Sequence, residues 1–280
     1  MIPFTEHNNN NKELECHFIH ANGFPPSAYD TFLSLISSNF KVKSPLLRPH
    51  WENHEKVDSF ENWDLFLNDF IEYCDENNIN NSCGIGHSIG GNILIRACLQ
   101  NNNLFKSIIL LDPTIFIPSI VRIWKMLSSI PFIKSSFPLA KAARNRRTSF
   151  DDYNHVFESY RNKKIFSKIP DKQLSEYIKS IFSYNETNKT YALNYKKEWE
   201  EKMYLTSLFK DIEVWKNIHK LNIPTLILTP DTNPVLRKSA INKFNSNQNI
   251  KFITIKNSSH LFPLEKPKEV SEIISDFLKI

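Results

Sequence analysis

Gly86-His87-Ser88-Ile89-Gly90 sets a serine between two glycines. It lies directly after a short run of strand character, Ser82 to Gly86, and directly before a helical stretch from about Gly90 to Leu99. In that context the spacing predicts a tight strand-to-helix turn with the Ser88 hydroxyl projecting from the sheet edge. Small residues two positions to either side leave room for the bend, and the helix N-terminus offers N–H groups to a developing oxyanion. The competing reading is a small-residue turn that only packs a helix on a sheet. A serine hydroxyl attacks poorly at neutral pH unless a base removes its proton, and histidine titrates in the right range. Among nine histidines, His260 follows the last strand, in Ser258-Ser259-His260-Leu261-Phe262-Pro263 just before the closing helix. Open α/β sheets form their crevice at that carboxyl end. The implied chemistry is acyl transfer.

These residues need a scaffold that brings distant segments to one edge. Strand character at 15–19, 40–47, 82–86, 107–111, 221–229 and 250–255 alternates with helical periodicity at 27–38, 59–78, 90–99 and 267–278. Such alternation predicts an α/β fold, a mostly parallel central sheet with helices on both faces. Between about 114 and 218 the pattern breaks into helical, aromatic-rich segments at 118–129, 138–147, 151–163, 171–183 and 198–217, with Thr190 to Tyr195 ambiguous. The expected division is a core of 1–113 and 219–280 interrupted by a helical cap, 114–218.

Glycine usage sharpens this. Average usage of about 7% is far above the five glycines present, Gly23, Gly84, Gly86, Gly90 and Gly91, all within two short segments. Gly86 to Gly91 resembles the nucleophile elbow of the α/β-hydrolase family, and Asn22-Gly23-Phe24-Pro25 resembles its oxyanion loop, with Asn22 where histidine is usual. The resemblance runs over the whole chain. It implies a Ser-His-Asp triad with Ser88 and His260, and an oxyanion hole from the backbone N–H groups of Phe24 and Ile89. His20 and His87 are expected to be structural. The family's commonest acid position, after the strand at 225–228, falls on Asn233, with Asp231 two residues early. Asp112, at the end of the strand after the elbow helix, is the alternative that some family members use. Its neighbour Pro113 is expected to hold it extended. Asp112 is favoured over Asp231. Dehalogenases and epoxide hydrolases resemble this fold but need aspartate at position 88.

Composition sets the outer bounds. Apolar residues make up 41% and charged residues 23%, with net charge +5. The basic residues form no dense stripe, so nucleic acid is set aside. Cys16, Cys74, Cys83 and Cys98 show no CxxC or metal spacing, which fits a reduced, cytoplasmic setting. Met1 to Asn11 has no apolar signal region, and no run reaches a membrane-spanning length, so stable membrane insertion is not expected. His50 and His54 lack a third ligand; no metal and no cofactor is expected. The apolar and aromatic cap favours a small, uncharged ester, hence a carboxylesterase. Thioesterase, C–C bond hydrolase, lipase and non-catalytic ligand-binding receptor remain open. Arg122, Lys125, Lys134, Lys141, Arg144, Arg146 and Arg147 make the cap basic, which could steer anionic substrates or touch an acidic lipid surface, with a solvated face as the default expectation. Oligomeric state is not encoded in any of these features.

Overall fold

The computed structural model describes residues 1–7, 14–52, 57, 60–206, 210–232 and 238–279. Its strands are β1 (Phe4–His7), β2 (Glu15–Ile19), β3 (Lys41–Pro45), β4 (Ser82–His87), β5 (Phe105–Leu111), β6 (Ser149–Phe150), β7 (Phe182–Asn185), β8 (Thr190–Leu193), β9 (Thr225–Pro230) and β10 (Ile250–Ile255). Seven form one sheet in the order β1-β3-β2-β4-β5-β9-β10. Every pair is parallel except β1 with β3. The carboxyl ends of β2, β4, β5, β9 and β10 therefore open on a single edge.

Period-2 alternation explains the two cores. Along β5, Ile108 and Leu110 join one apolar cluster and Ile109 and Leu111 the other. The first cluster takes helices Asp64–Glu76 and Ile89–Gln100 through Phe66, Phe70, Ile93 and Leu94; the second takes Asp30–Ile36 and Pro267–Leu278 through Phe32, Leu33, Val270 and Ile274. Both sheet faces are covered, as a parallel sheet requires.

The helix at the first face sits unusually close to β4. A Cβ on Gly84 would lie 2.8 Å from Leu94, one on Gly86 would lie 2.5 Å from the Gly90 carbonyl oxygen, and one on Gly90 only 2.0 Å from that of Ile19. These glycines are needed for close approach of backbones, and they fix where the β4–helix turn falls.

The stretch between β5 and β9 departs from the all-helical expectation. It contains helices Pro118–Leu127, Pro131–Ser135, Pro138–Arg144, Tyr153–Arg161, Asp171–Ile181, Lys197–Thr206 and Asp211–Asn217, but also a small antiparallel sheet, β6-β8-β7. The ambiguous segment 190–195 supplies β8, and the helix read over 198–217 is two helices. β1, on the sheet edge, carries no signal in a four-residue polar segment. All four cysteines are buried thiols, and no described helix is long and apolar enough to cross a membrane.

Candidate active site

β4 ends at His87, and Ser88 turns the chain with φ 57° and ψ −116° before the helix Ile89–Gln100 begins. A non-glycine residue held there costs about 1–3 kcal/mol and persists only where its surroundings enforce it. Here the Ser88 N–H donates to the Leu111 carbonyl at 3.0 Å, and the Ser88 carbonyl accepts from Gly91 N and Thr114 N, each at 3.1 Å. The Ser88 hydroxyl lies 3.1 Å from the Thr114 hydroxyl. Ile89, first in its helix, has no preceding turn to accept its N–H.

Asp112, fully buried, follows β5 at φ 40°, with its N–H donating to the Leu228 carbonyl at 2.8 Å. The extended geometry expected from Pro113 is thus replaced by a left-handed turn, which aspartate tolerates better than most residues. That turn carries its carboxylate to His260, whose Nδ1 is 2.6 Å from Oδ2. Asp231 is not beside the imidazole in this way. Its two oxygens accept the N–H groups of Asn257 and Ser258 at 2.7 and 3.0 Å, and these two donors hold the carboxyl below its ordinary range. It shapes the loop ahead of His260. Glu265 pins the same loop from the other side, accepting from Ser259 N at 2.9 Å and from the Ser259 hydroxyl. Asn233 and His54 lie outside the described residues. Among the described residues no cluster of His, Cys, Asp and Glu is suited to a metal.

His87 and His20 are buried and committed to neighbours. His87 Nε2 donates to the His260 carbonyl at 2.9 Å, which leaves Nδ1 to accept the Tyr29 hydroxyl at 2.7 Å. Leu47 N–H donates to His20 Nε2 at 3.0 Å, so His20 Nδ1 carries the proton and donates to the Ala21 carbonyl at 2.9 Å. Burial pushes both imidazoles well down, His20 to about 4. They are neutral braces for the His260 loop and the Ala21–Phe24 turn.

In that turn Gly23 takes φ +71°, where a side chain would be strained. The Phe24 N–H donates back to the Ala21 carbonyl at 3.2 Å. It already has an acceptor, then, though at the long end of the hydrogen-bond range. Residues from the stretch between β5 and β9 cover this turn. Tyr177 stacks on Phe24 with ring centroids 4.4 Å apart, and the Tyr195 hydroxyl donates to Asn22 Oδ1 at 2.6 Å. Glu200 lies against Gly23 and forms a buried ion pair with Arg146 at 2.7 Å. Arg146 is therefore not part of a solvated basic face. Beside it, burial pulls the Lys163 ammonium down to about 8. None of these contacts has a sequence motif that would have revealed it.

A second brace joins the elbow helix to the stretch after β5. Asn92 Nδ2 donates to the Thr114 carbonyl at 2.8 Å and to Asp211 Oδ1 at 2.7 Å, and Asp211 Oδ2 accepts Phe116 N–H at 2.7 Å. Burial raises the Asp211 carboxyl to about 7 despite these donors. An acid whose folded pKa lies above its unfolded value binds more protons when folded, so its stabilising contribution is lost as pH rises through about 7. Thermal denaturation between pH 6 and 8 is therefore expected to show a falling melting temperature in the parent protein and a flatter profile in Asp211→Asn. Parallel profiles would show that Asp211 does not titrate there.

An open concavity of about 1030 Å³ occurs at the opposite edge, lined by Asn78, Asn81, Asn101, Asn103 and Asn222 among others. It is far from the chemistry, at the turns that precede β4 and β5.

Comparison with known proteins agrees with this architecture. The sequence model described as the alpha/beta hydrolase fold matches residues 48–267. A curated protein of Wickerhamomyces anomalus, "Probable alcohol acetyltransferase", is 29% identical over 108 residues, 38% of this chain but only 31% of that protein. Thus the match spans about a third of the relative's length. The crystal structure of E-2-(acetamidomethylene)succinate hydrolase superposes with TM-score 0.75 at 14% identity, covering 99% of this chain and 94% of that one. An alpha/beta hydrolase from Novosphingobium aromaticivorans gives TM-score 0.76 at 15% identity, covering 99% and 93%.

Proposed function

This chain belongs to the alpha/beta hydrolase fold family, and on that premise we propose that it is a serine hydrolase cleaving carboxylic esters through an acyl-enzyme. The observation that carries the reading is the 2.6 Å contact between His260 Nδ1 and the buried Asp112 carboxylate. With Nδ1 engaged, Nε2 is the nitrogen left to handle a proton. In the proposed cycle the Ser88 hydroxyl proton passes to His260 Nε2 as Oγ bonds to the substrate carbonyl carbon. Asp112 stabilises the imidazolium. The oxyanion is held by Ile89 N–H and by Phe24 N–H, for which it competes with the weaker Ala21 carbonyl. The C–O bond then breaks, His260 protonates the departing alkoxide, and water repeats the sequence to release the acid. No cofactor enters this balance.

Residues 114–218 are read as the cap over the crevice, since Tyr177, Tyr195 and Glu200 reach the oxyanion turn from that segment. Phe24, half-buried and backed by the buried rings of Tyr29 and Tyr177, offers aromatic surface, which suits an uncharged apolar or aromatic acyl group. An acyl-enzyme can also be taken by an alcohol in place of water, the reaction class in the name of the Wickerhamomyces relative.

A fluorophosphonate probe is expected to label the protein once, with the adduct on the Ser88 peptide by mass spectrometry. An ester and thioester panel of graded acyl length, run with and without added ethanol, then ranks the leaving group and the acceptor. Absence of labelling, with no turnover across the panel, would return the chain to the ligand-binding alternative.

A further inference from the structure

Five of the nine large apolar side chains left exposed among the described residues lie within 123–139: Ile123, Met126, Ile130, Phe132 and Leu139. Phe132 is 78% and Met126 68% exposed. Single exposed apolar residues are ordinary, but a cluster of this kind marks a contact surface. The helix Pro118–Leu127 already has an inner face, where Val121 and Trp124 pack with Ala140 and Leu205. Its other side mixes Ile123 and Met126 with Arg122 and Lys125.

Charge identifies the partner. From Pro113 to Phe150 there are seven lysines and arginines and no aspartate or glutamate. Three of the seven are engaged within the fold: Arg144 with Glu201, Arg146 with Glu200, and Arg147 over the Phe150 ring. Arg122, Lys125, Lys134 and Lys141 are exposed and form no ion pair among the described residues. Exposed apolar side chains between these four cations, on short helices that carry no acid of their own, match a surface that lies in the headgroup layer of an anionic bilayer.

We infer that the face formed by Pro118–Leu127, Pro131–Ser135 and Pro138–Arg144 docks reversibly on anionic phospholipid, with Met126 and Phe132 entering the acyl boundary and the four cations meeting headgroups. The first of these helices begins four residues after Thr114, whose hydroxyl contacts Ser88. Docking therefore holds the crevice at the lipid surface, where apolar substrates concentrate.

The test is co-sedimentation of the full chain with vesicles of phosphatidylcholine alone or with about a third phosphatidylserine. Binding is expected only to the anionic vesicles, with release as salt rises from about 0.1 to about 0.5 M. Replacing Arg122, Lys125, Lys134 and Lys141 together by glutamine is expected to weaken binding by about a hundredfold or more. Met126→Asp with Phe132→Asp is expected to weaken it at least about tenfold. Salt release of the parent protein probes the same contacts without any substitution that could disturb folding. No sedimentation, equal binding to neutral vesicles, or a self-association abolished by the aspartate pair without any vesicle binding would each overturn the inference. Ser88→Ala is expected to bind vesicles like the parent, so failure here and failure of the hydrolase reading are separable.

Discussion

Ser88→Ala is expected to lower kcat on a p-nitrophenyl ester by about 10⁶-fold, the scale seen when a serine nucleophile is removed from a triad. The size follows from the mechanism proposed. Without Oγ there is no acyl-enzyme, and His260 can only assist direct attack by water, aided by whatever the oxyanion donors retain. The substitution should be structurally mild, because the bend at residue 88 is held by backbone bonds to Leu111, Gly91 and Thr114. The hydroxyl's contact with the Thr114 hydroxyl is lost. Relief of left-handed strain is not expected, since alanine is no more at ease at φ 57° than serine. Retention of more than about a hundredth of the parent rate, at unchanged melting temperature, rejects Ser88 as nucleophile.

Asp112→Asn should cost about 10⁴-fold in kcat, since an amide cannot stabilise an imidazolium and can impose the wrong tautomer. Asp231→Asn provides the contrast. Its carboxylate holds Asn257 and Ser258 by their N–H groups, and an asparagine oxygen can keep at most part of that arrangement. A loss below about tenfold in rate is expected, together with a lower melting temperature. If the asymmetry ran the other way, with Asp231→Asn crippling turnover and Asp112→Asn nearly silent, the proposed acid would be wrong.

How much of this was legible without coordinates depends on whether a residue acts through local or remote partners. The elbow was legible because Gly86, Ser88 and Gly90 solve a local steric problem within five residues. β10 at Ile250–Ile255 coincides with the sequence reading because its apolar residues serve both sheet faces, Ile250 and Phe252 one and Ile253 and Ile255 the other, and the helix Pro267–Leu278 because its apolar spacing is decided by burial on one face. The antiparallel strands at 149–150, 182–185 and 190–193 were hard to read because each is only two to four residues long, and the first of them finds its partner about forty residues away. The helical pattern ran through Phe182, where tertiary pairing ends the helix. Thr114, Glu265 and the Asn92–Asp211 brace were missed for a related reason. Each is an ordinary polar residue whose importance lies wholly in what lies across from it in space. Arg146 is the clearest case. Among seven basic residues in one segment, nothing in the sequence distinguishes those that pair with buried or half-buried glutamates from those that face water.

The turn at Asn22–Phe24 is clasped by Tyr177, Tyr195 and Glu200, which arrive from a segment some 150 to 180 residues later. That segment is consequently no detachable lid that could be trimmed to widen access or exchanged with a relative's to retarget the enzyme. A graft that replaced it would also have to carry matching partners for the early loop, and selection on substrate range is bound to act on both stretches together.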